Sequence, residues 1–144
     1  MEPALALVHA DLELARATYE AIAFGVRHNL QAFREAAGEP ARVVAVGGGT
    51  KAGAWTQIVS DATRLRQEIP EQAIGAAYGD ALLAALAAGL VAPDTDWSAS
   101  SETVVPSPDG EPVYDDLFAL YLQLQQAAAP ISHRLAELQT DGWS

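Results

Sequence analysis

The sequence contains no cysteine, which excludes disulfides, thiolate nucleophiles and cysteine-ligated zinc or iron–sulfur sites. Cationic residues are scarce as well, since 8 Lys and Arg stand against 19 Asp and Glu and the net charge is −11. So few cations form no stripe that could neutralise a phosphate backbone, and nucleic-acid binding is therefore not expected. The lack of thiols fits a reducing compartment, so we expect a cytoplasmic protein.

Long hydrophobic runs are missing too. The longest, around residues 81–92, is alanine-rich and falls short of the roughly 20 residues that a membrane span needs. The N-terminus lacks a basic segment followed by an apolar one, so neither a secretory signal nor a membrane partner is expected. What the chain does have is 144 residues, half of them hydrophobic, which predicts a single domain over residues 1–144 with one core.

Residues 11–37 place apolar side chains at helical spacing, which predicts one long helix. Asp11 is expected to cap its N-terminus, and Gly38 followed by Pro40 is expected to end it. The apolar stripe consists of Leu14, Ala17, Ala21, Phe24, His28 and Gln31, widened by Ile22, Val26, Leu30 and Phe33.

A strand, a glycine-rich turn, a helix and a second strand follow, in the order of an α/β unit. The short apolar run at 42–46 predicts a strand that is covered on both faces. It ends at three glycines, after which we expect a helix over 52–63 and a short strand over 67–69.

Residues 73–89 predict a further helix that is unusually rich in small side chains. Glycine inside a helix costs about 1 kcal/mol relative to alanine, so Gly75 and Gly79 indicate a close packing contact or a ligand. Residues 93–112 are rich in Pro, Ser, Asp and Gly and are expected to form a surface loop, with a short strand at 103–105.

A final amphipathic helix is predicted from Val113 onward. Pro130 should kink it or split it in two, and residues 139–144 are expected to form a frayed tail. The apolar stripe, which is expected to lie on a core, consists of Val113, Leu117, Leu120, Leu124, Ala127, Ile131, Leu135 and Leu138.

The turn Gly47-Gly48-Gly49 is the local feature with the clearest chemical use. Without Cβ atoms, a strand-to-helix turn can present backbone N–H groups and a helix N-terminus to an anion, and Lys51 adds a positive charge at the same place. The spacing matches neither the Walker pattern nor the dinucleotide fingerprint. From the residues alone, a plain tight turn is favoured and a phosphate or nucleotide loop stays open.

Other polar and aromatic residues predict no chemistry. The three histidines are too scattered for a local zinc pattern, so no metal ligand is assigned. Asp61 and Asp80 could serve as a base or a metal ligand, but a cap or a backbone contact is the simpler explanation of a lone carboxylate. Trp55 and Tyr78 are expected to be core aromatics.

Four segments, in this order, resemble the C-terminal domain of the FGGY carbohydrate kinases, and within that family the xylulokinase-like members. Residues 13–25 resemble the latter part of the family's second signature, and residues 46–61 are similar to its adenosine motif of glycines, Trp, Gln and a closing Ser-Asp. Residues 70–81 are similar to the family's small-residue helix, and residues 114–121 are similar to its final helix. Each segment is a weak match, but the order and spacing of all four make the resemblance specific.

The resemblance implies an α/β, helix-dominated fold: a truncated actin-like, ribonuclease H-like ATPase domain with a small sheet of two or three short strands and about four long helices. It implies an ATP-dependent sugar kinase that acts on a pentulose such as xylulose, with ATP and Mg²⁺ as cofactors of the complete enzyme. The nucleotide-binding residues that it implies are Gly47, Gly48, Gly49, Thr50, Lys51 and Ala52. The glycines would run along the α-phosphate and adenosine, and the position of Ala52 would lie beside the adenine and ribose.

The chain departs from the family pattern at four positions. Ala52 stands where a polar residue is usual, which removes a side-chain contact to the nucleotide, and Ala4 replaces a glycine. Arg64 and Arg66 stand where Gly and Pro often end the second helix. We therefore expect either a positive φ at Arg64 or a different loop shape.

The sugar-binding N-terminal domain of the family, with its catalytic aspartate, has no counterpart in this sequence. The resemblance therefore implies that this domain is a partner, that ATP or ADP is the ligand, and that the chain alone is inactive, with no catalytic residue of its own. A homodimer is also expected, because a surface meant to be covered tends to find a partner. The alternative is a non-catalytic binding or dimerisation module derived from the same domain, which would use the Ala- and Gly-rich helix faces near 17–25 and 73–89.

Overall fold

The computed structural model describes residues 3–51, 53–72, 74–97, 99–108 and 112–141, without the side chains of residues 3–10 and 140–141. The chain divides into two compact units, Met1–Gly110 and Glu111–Ser144, which are described separately. Within the described residues, no helix combines the length and the apolar character needed to cross a membrane. The expectation of one domain over 1–144 stays a prediction.

The first helix, α1, spans Pro3–Ala37, so it begins eight residues before the predicted start. Pro3 occupies its first position, where a missing N–H and a fixed φ do no harm. Asp11 lies inside the helix, and the prediction that it caps the N-terminus is wrong. The predicted end is confirmed, because Gly38 takes a φ of +83° and donates its N–H to the Arg34 carbonyl at 2.9 Å.

The core of the first unit is small and lies where α1 packs against α2, which spans Gly53–Thr63. Residues 11–19 of α1 are exposed, and of the predicted stripe only Phe24 is buried. Its other members after Ala21 are half-buried or, at Ile22 and Phe33, exposed. Among the described residues of this unit, the buried apolar side chains are Ala23, Phe24, Val59, Ala62, Ile69, Pro70 and Val104.

The predicted strand at 42–46 is reduced to a single parallel bridge between Val44 and Glu68. Glu68 donates its N–H to the Val43 carbonyl, and Ala45 donates its N–H to the Glu68 carbonyl, both at 2.9 Å. Val44 and Val46 are 37% and 50% exposed, so the prediction that both faces are covered is wrong. The reason is non-local: an apolar run becomes a covered strand only when neighbours exist on both edges and both faces.

The prediction of α2 is confirmed, and so is that of the following strand, β1, which spans Gln67–Pro70. β1 pairs with β2, Ser100–Val104, in an antiparallel register that sets Gln67 opposite Val104. β2 therefore lies inside the predicted surface loop and begins three residues before the predicted strand. Together with the helices below, this confirms a helix-dominated α/β fold with a small sheet.

The third helix, α3, spans Ala76–Ala87 and is shorter than predicted. Residue 73, its predicted start, lies outside the described residues. Gly75 is not inside the helix but precedes it with a φ of +74°, a conformation that favours glycine. A Cβ at Gly75 would lie 3.7 Å from Val46 Cγ2, an ordinary contact. The glycine there is therefore explained by its backbone conformation.

The second unit contains one helix, α4, which spans Val113–Asp141. It is continuous through Pro130, so the predicted splitting is wrong. The rings of Phe118 and Tyr121 stack within it, with centroids 5.9 Å apart. Within this unit Leu117 is half-buried and the other stripe residues are exposed, so the expectation that the stripe lies on a core stays a prediction. The exposed members of the stripe are Val113, Leu120, Leu124, Ala127, Ile131, Leu135 and Leu138.

The frayed tail predicted at 139–144 overlaps the last turn of α4, and residues 142–144 lie outside the described part of the chain. That tail stays a prediction.

The loop after α2 contains the strained residue that the sequence predicts, since Arg64 has a φ of +61°. A side chain in this region costs roughly 1–2 kcal/mol, while glycine adopts it freely. Arg64→Gly is therefore expected to raise the free energy of unfolding by about 1 kcal/mol. Chemical denaturation measures this, with Arg64→Ala as the control that removes the guanidinium but keeps the strain. Equal or lower stability of the glycine variant relative to the alanine variant would contradict the assignment.

Candidate functional site

A cleft of about 480 Å³ opens beside the glycine turn. One side consists of Gly47, Gly48, Thr50 and Lys51, so four of the six residues implied as nucleotide ligands line one cavity. Gly49 is not among the lining residues, and Ala52 lies outside the described part of the chain. The other side is formed by residues at and after the end of β1, namely Ile69, Glu71, Gln72 and Ile74.

The three glycines of the turn differ in what the structure requires of them. Gly47 has a φ of +100°, which other residues rarely adopt. Gly48 has an ordinary φ, and a Cβ built on it would meet no atom within 4 Å. Gly49 lies against Trp55, because a Cβ there would come within 3.1 Å of Cζ3 of the indole. Only Gly47 and Gly48 keep the cleft itself free of side chains.

Thr50 closes the turn from its buried side. Residues Gly48–Lys51 form a short 3₁₀ helix, and the N–H and Oγ1 of Thr50 both donate to the Gly47 carbonyl, at 3.2 and 2.8 Å. The N–H groups of Gly48 and Gly49 come before the first hydrogen bond that such a helix can make. Since Gly48 also lines the cleft, its amide is a candidate donor to an anion there.

The cleft has one basic and one acidic lining residue. Lys51 is exposed and is the single lysine of the sequence. Glu71, on the other side, is exposed as well. In a chain with a net charge of −11, this lysine is the local group that can offset an anionic ligand.

A second, smaller cavity of about 170 Å³ adjoins the cleft through the shared residue Gln72. Its walls are mostly apolar and aromatic, and the rings of Tyr78 and Trp97 meet there with centroids 5.2 Å apart. Tyr78 is half-buried, as is Trp55, so the prediction that both are core residues is wrong. Tyr78 instead lines the second cavity, and Trp55 packs against Gly49 of the glycine turn.

Asp61 is buried and holds the chain that follows β2. Its carboxylate accepts hydrogen bonds from the Ser107 N–H at 2.7 Å, the Ser107 hydroxyl at 3.1 Å and the Gln57 amide at 2.9 Å. Gln57 also donates to the Val105 carbonyl at 2.9 Å. The prediction of a backbone contact for this lone carboxylate is confirmed, and Asp61 does not line the cleft.

A second polar cluster ties the segment before the glycine turn to the sheet. Glu68 accepts hydrogen bonds from the Ser100 hydroxyl at 2.8 Å and from Nε of Arg42 at 2.7 Å. The Ser100 hydrogen bond, and after it the Arg42 guanidinium, lower the pKa of Glu68 below its usual value. This cluster has a structural role, because it fixes the approach of the chain to Gly47.

Sequence reasoning missed the second wall of the cleft, Glu71, Gln72 and Ile74. The available signal was their position immediately after a strand parallel to the run that ends at Gly47. Segments that follow neighbouring parallel strands meet at one edge of a sheet, which is where ligands bind in α/β folds.

A family model for the C-terminal domain of the FGGY family of carbohydrate kinases matches residues 8–88. The probable L-xylulose kinase of Pasteurella multocida (strain Pm70) is 30% identical over 119 residues, which cover 83% of this chain and 24% of that protein. The xylulose kinase of Bacillus subtilis (strain 168) is 36% identical over 81 residues, 56% of this chain and 16% of that protein. The chain thus spans a quarter or less of these relatives.

Solved structures of kinases are also similar to this chain. The xylulose kinase from Rhodospirillum rubrum superposes with a TM-score of 0.67 at 28% identity, over 83% of this chain and 25% of that one. A xyloylose kinase from Brucella ovis gives a TM-score of 0.69 at 30% identity, over 82% of this chain and 26% of that one. These likenesses confirm the predicted actin-like fold class.

Proposed function

The chain belongs to the FGGY family of carbohydrate kinases and matches the C-terminal domain of that family. From this membership we propose that the chain binds the nucleotide of an ATP-dependent sugar kinase. The relatives are named as kinases of xylulose and L-xylulose, so a pentulose is the proposed sugar class. The reaction is a phosphoryl transfer from ATP to a sugar hydroxyl. Such transfers depend mainly on positioning and charge stabilisation, so a domain that only holds the nucleotide still contributes.

The observation that carries this proposal is the open cleft beside the glycine turn. A ligand phosphate there would meet the Gly48 amide and the Lys51 ammonium, with no Cβ at Gly47 or Gly48 to block its approach. Thr50 is already engaged with the Gly47 carbonyl and is buried. In this proposal Gly47, Gly48 and Lys51 bind phosphate, whereas Gly49 and Thr50 shape the turn.

The adenosine end of the nucleotide is assigned by family resemblance to the neighbourhood of Ala52. A residue without a polar side chain gives the base and ribose no hydrogen bond from that position, so we expect weaker nucleotide affinity than a Ser or Asn would give. The phosphates then account for most of the binding energy.

Magnesium fits this arrangement as part of the ligand. Mg²⁺ in such sites is usually held by one or two carboxylates together with the substrate's phosphates. Within the described ranges, no group of three His, Asp or Glu side chains could hold a metal ion. In this proposal the cation arrives bound to the nucleotide and neutralises phosphate charge, while Lys51 and the turn orient the nucleotide.

The sugar site and the catalytic base are assigned to a partner domain. Asp61, the buried carboxylate of the described part of α2, is committed to Ser107 and Gln57 and lies away from the cleft. We therefore propose that the chain binds and orients the nucleotide, and that turnover requires the sugar-binding N-terminal domain of the family.

A non-catalytic binding or dimerisation module is the second candidate, and one observation favours it. Several large apolar side chains of α1 and of the α3 region are more than half exposed, which is typical of surfaces that meet a partner. They are Leu12, Leu14, Ile74, Leu83 and Leu90. A homodimer would cover such a surface, and light scattering at moderate concentration tests it, since a monomeric mass would refute the dimer.

Thermal melting with ADP or ATP and magnesium separates the two candidates. A ligand at 100 times its dissociation constant adds about 2.7 kcal/mol to the free energy of unfolding, which raises the melting midpoint by several degrees. Lys51→Met should weaken ADP binding about tenfold, because it removes a charge-assisted hydrogen bond.

The matched control is Arg66→Met, which changes the net charge equally but removes a cation that does not line the cleft. We expect this variant to bind like the wild type. If millimolar nucleotide leaves the wild-type midpoint unmoved, the nucleotide-holding function is wrong and the binding module is favoured.

A further inference from the structure

Trp55 is not among the residues that line the cleft, yet its indole lies against Gly49 of the glycine turn. We propose that Trp55 is the positioning residue of this site and holds Gly48 and its neighbours in the conformation that receives a phosphate. The inference rests on the proposed nucleotide function and adds to it a residue that no phosphate or base would touch.

The geometry places the indole directly against the turn. A Cβ built on Gly49 would lie 3.1 Å from Cζ3 and 3.2 Å from Cε3 of Trp55, closer than side chains normally approach. Gly49 is therefore glycine because the ring occupies the space of its side chain. Gly48, one residue earlier, has open space on the cleft side. The turn is thus supported on one side and open on the other.

Three consecutive glycines would otherwise make a poor binding surface. Glycine loses more backbone entropy on ordering than any other residue, so a turn that orders only when ligand arrives would bind weakly. Groups that fix the turn beforehand remove that loss from the binding free energy. Thr50 fixes one end through its two hydrogen bonds to Gly47. Trp55 packs on the other end, at Gly49.

Trp55 can serve this purpose because its own backbone is held firmly. The next residue, Thr56, is fully buried and donates its hydroxyl to the Gly53 carbonyl at 3.0 Å. The side-chain amide of Gln67 on β1 donates to the Thr56 carbonyl at 2.8 Å and to the Ser60 hydroxyl at 2.9 Å. The first turn of α2 is therefore anchored to the sheet, and side chains of a helix lean toward its N-terminus, which is where the glycine turn lies.

The test compares substitutions of Trp55 in ADP–Mg²⁺ binding, measured by calorimetry on the full chain. Trp55→Ala should weaken binding at least about tenfold, because the turn then orders only on binding. Trp55→Phe keeps a ring against Gly49 and should stay within about threefold of the wild type. Trp55→Leu, which keeps apolar bulk without the flat ring, provides a folded variant if the alanine protein does not fold.

A spectroscopic readout separates positioning from a purely structural role. With Trp97 and Trp143 replaced by Phe, Trp55 is the one remaining tryptophan of the sequence. Its emission should change on ADP–Mg²⁺ addition and saturate at the same concentration as the calorimetric signal, since the indole contacts the turn beside which the ligand would bind.

The outcomes are distinguishable from those for the proposed function. If the wild type binds no nucleotide, the proposed function fails and this inference fails with it. If the wild type binds but the alanine or leucine variant binds equally well, or the Trp55 emission is indifferent to saturating ADP–Mg²⁺, then only the positioning role is overturned.

Discussion

Replacing Asp61 with alanine is expected to lower the free energy of unfolding by about 3 kcal/mol. The carboxylate is buried and accepts three hydrogen bonds, two from Ser107 and one from Gln57. Alanine removes a buried charged acceptor and leaves its donors, the exposed Ser107 and the half-buried Gln57, without that partner. A hydrogen bond to a charged group contributes about 1.5–3 kcal/mol, and water at Ser107 together with shared relaxation keeps the sum well below simple addition.

Asp80→Ala is the matched control, since Asp80 is an exposed carboxylate on α3. We expect it to change stability by no more than about 0.5 kcal/mol. Asp61→Asn should fall between the two, because the amide keeps the volume and one acceptor oxygen but loses the charge. Denaturant titration monitored by circular dichroism measures all three. A stable Asp61→Ala protein with an unchanged midpoint would show that the Ser107 contacts contribute little.

The second large effect is expected on binding and comes from Gly48→Asp. A carboxylate at this position would share the cleft with ligand phosphates, and like charges about 4 Å apart repel by up to about 4 kcal/mol at an effective dielectric constant near 20. We expect ADP affinity to fall by at least about thirtyfold, which corresponds to about 2 kcal/mol. The fold should be unaffected, because Gly48 has an ordinary φ and open space for a Cβ.

Gly48→Asn is the isosteric control for this experiment. It adds the same bulk without the charge, so the difference between the two variants isolates the electrostatic contribution. If Asp and Asn weaken ADP binding equally, the cleft beside the turn is a steric boundary and does not receive phosphate. Unchanged ADP binding in both variants would show that the nucleotide binds at another part of the chain.

Local signals account for the parts of the fold that the sequence predicts well. Helix α2, strand β1 and the end of α1 at Gly38 each follow from residues within a few positions of one another. The strain at Arg64 is local too, because a helix that ends without glycine still needs a left-handed residue.

The errors share a physical cause, which is dependence on neighbours far away in sequence. The run at 42–46 has the composition of a covered strand, but whether it is covered depends on elements outside the run. The sequence places Gly75 inside a helix because small residues of helical composition flank it on both sides, and no local signal indicates its positive φ.

The site shows the same division. The glycine turn can be predicted from the sequence because its three glycines are consecutive, and the family resemblance predicts that it binds a nucleotide. Glu71 and Gln72 reach the same cleft only through the pairing of β1 with the segment before Gly47. The packing of Trp55 on Gly49 could not be foreseen either, since it depends on the rotation of α2 about its axis.

The central claim is that backbone amides of the glycine turn receive the phosphates of a nucleotide, and their nuclear magnetic resonance signals test it directly. Protein labelled with ¹⁵N-glycine gives signals from 11 residues, and Gly48→Ala identifies the one of interest by its loss. On ADP–Mg²⁺ titration, the Gly47 and Gly48 signals should shift together and saturate, while those of Gly38 and Gly89, which do not line the cleft, stay in place. Unmoved Gly47 and Gly48 signals at saturating ADP–Mg²⁺ would contradict the account.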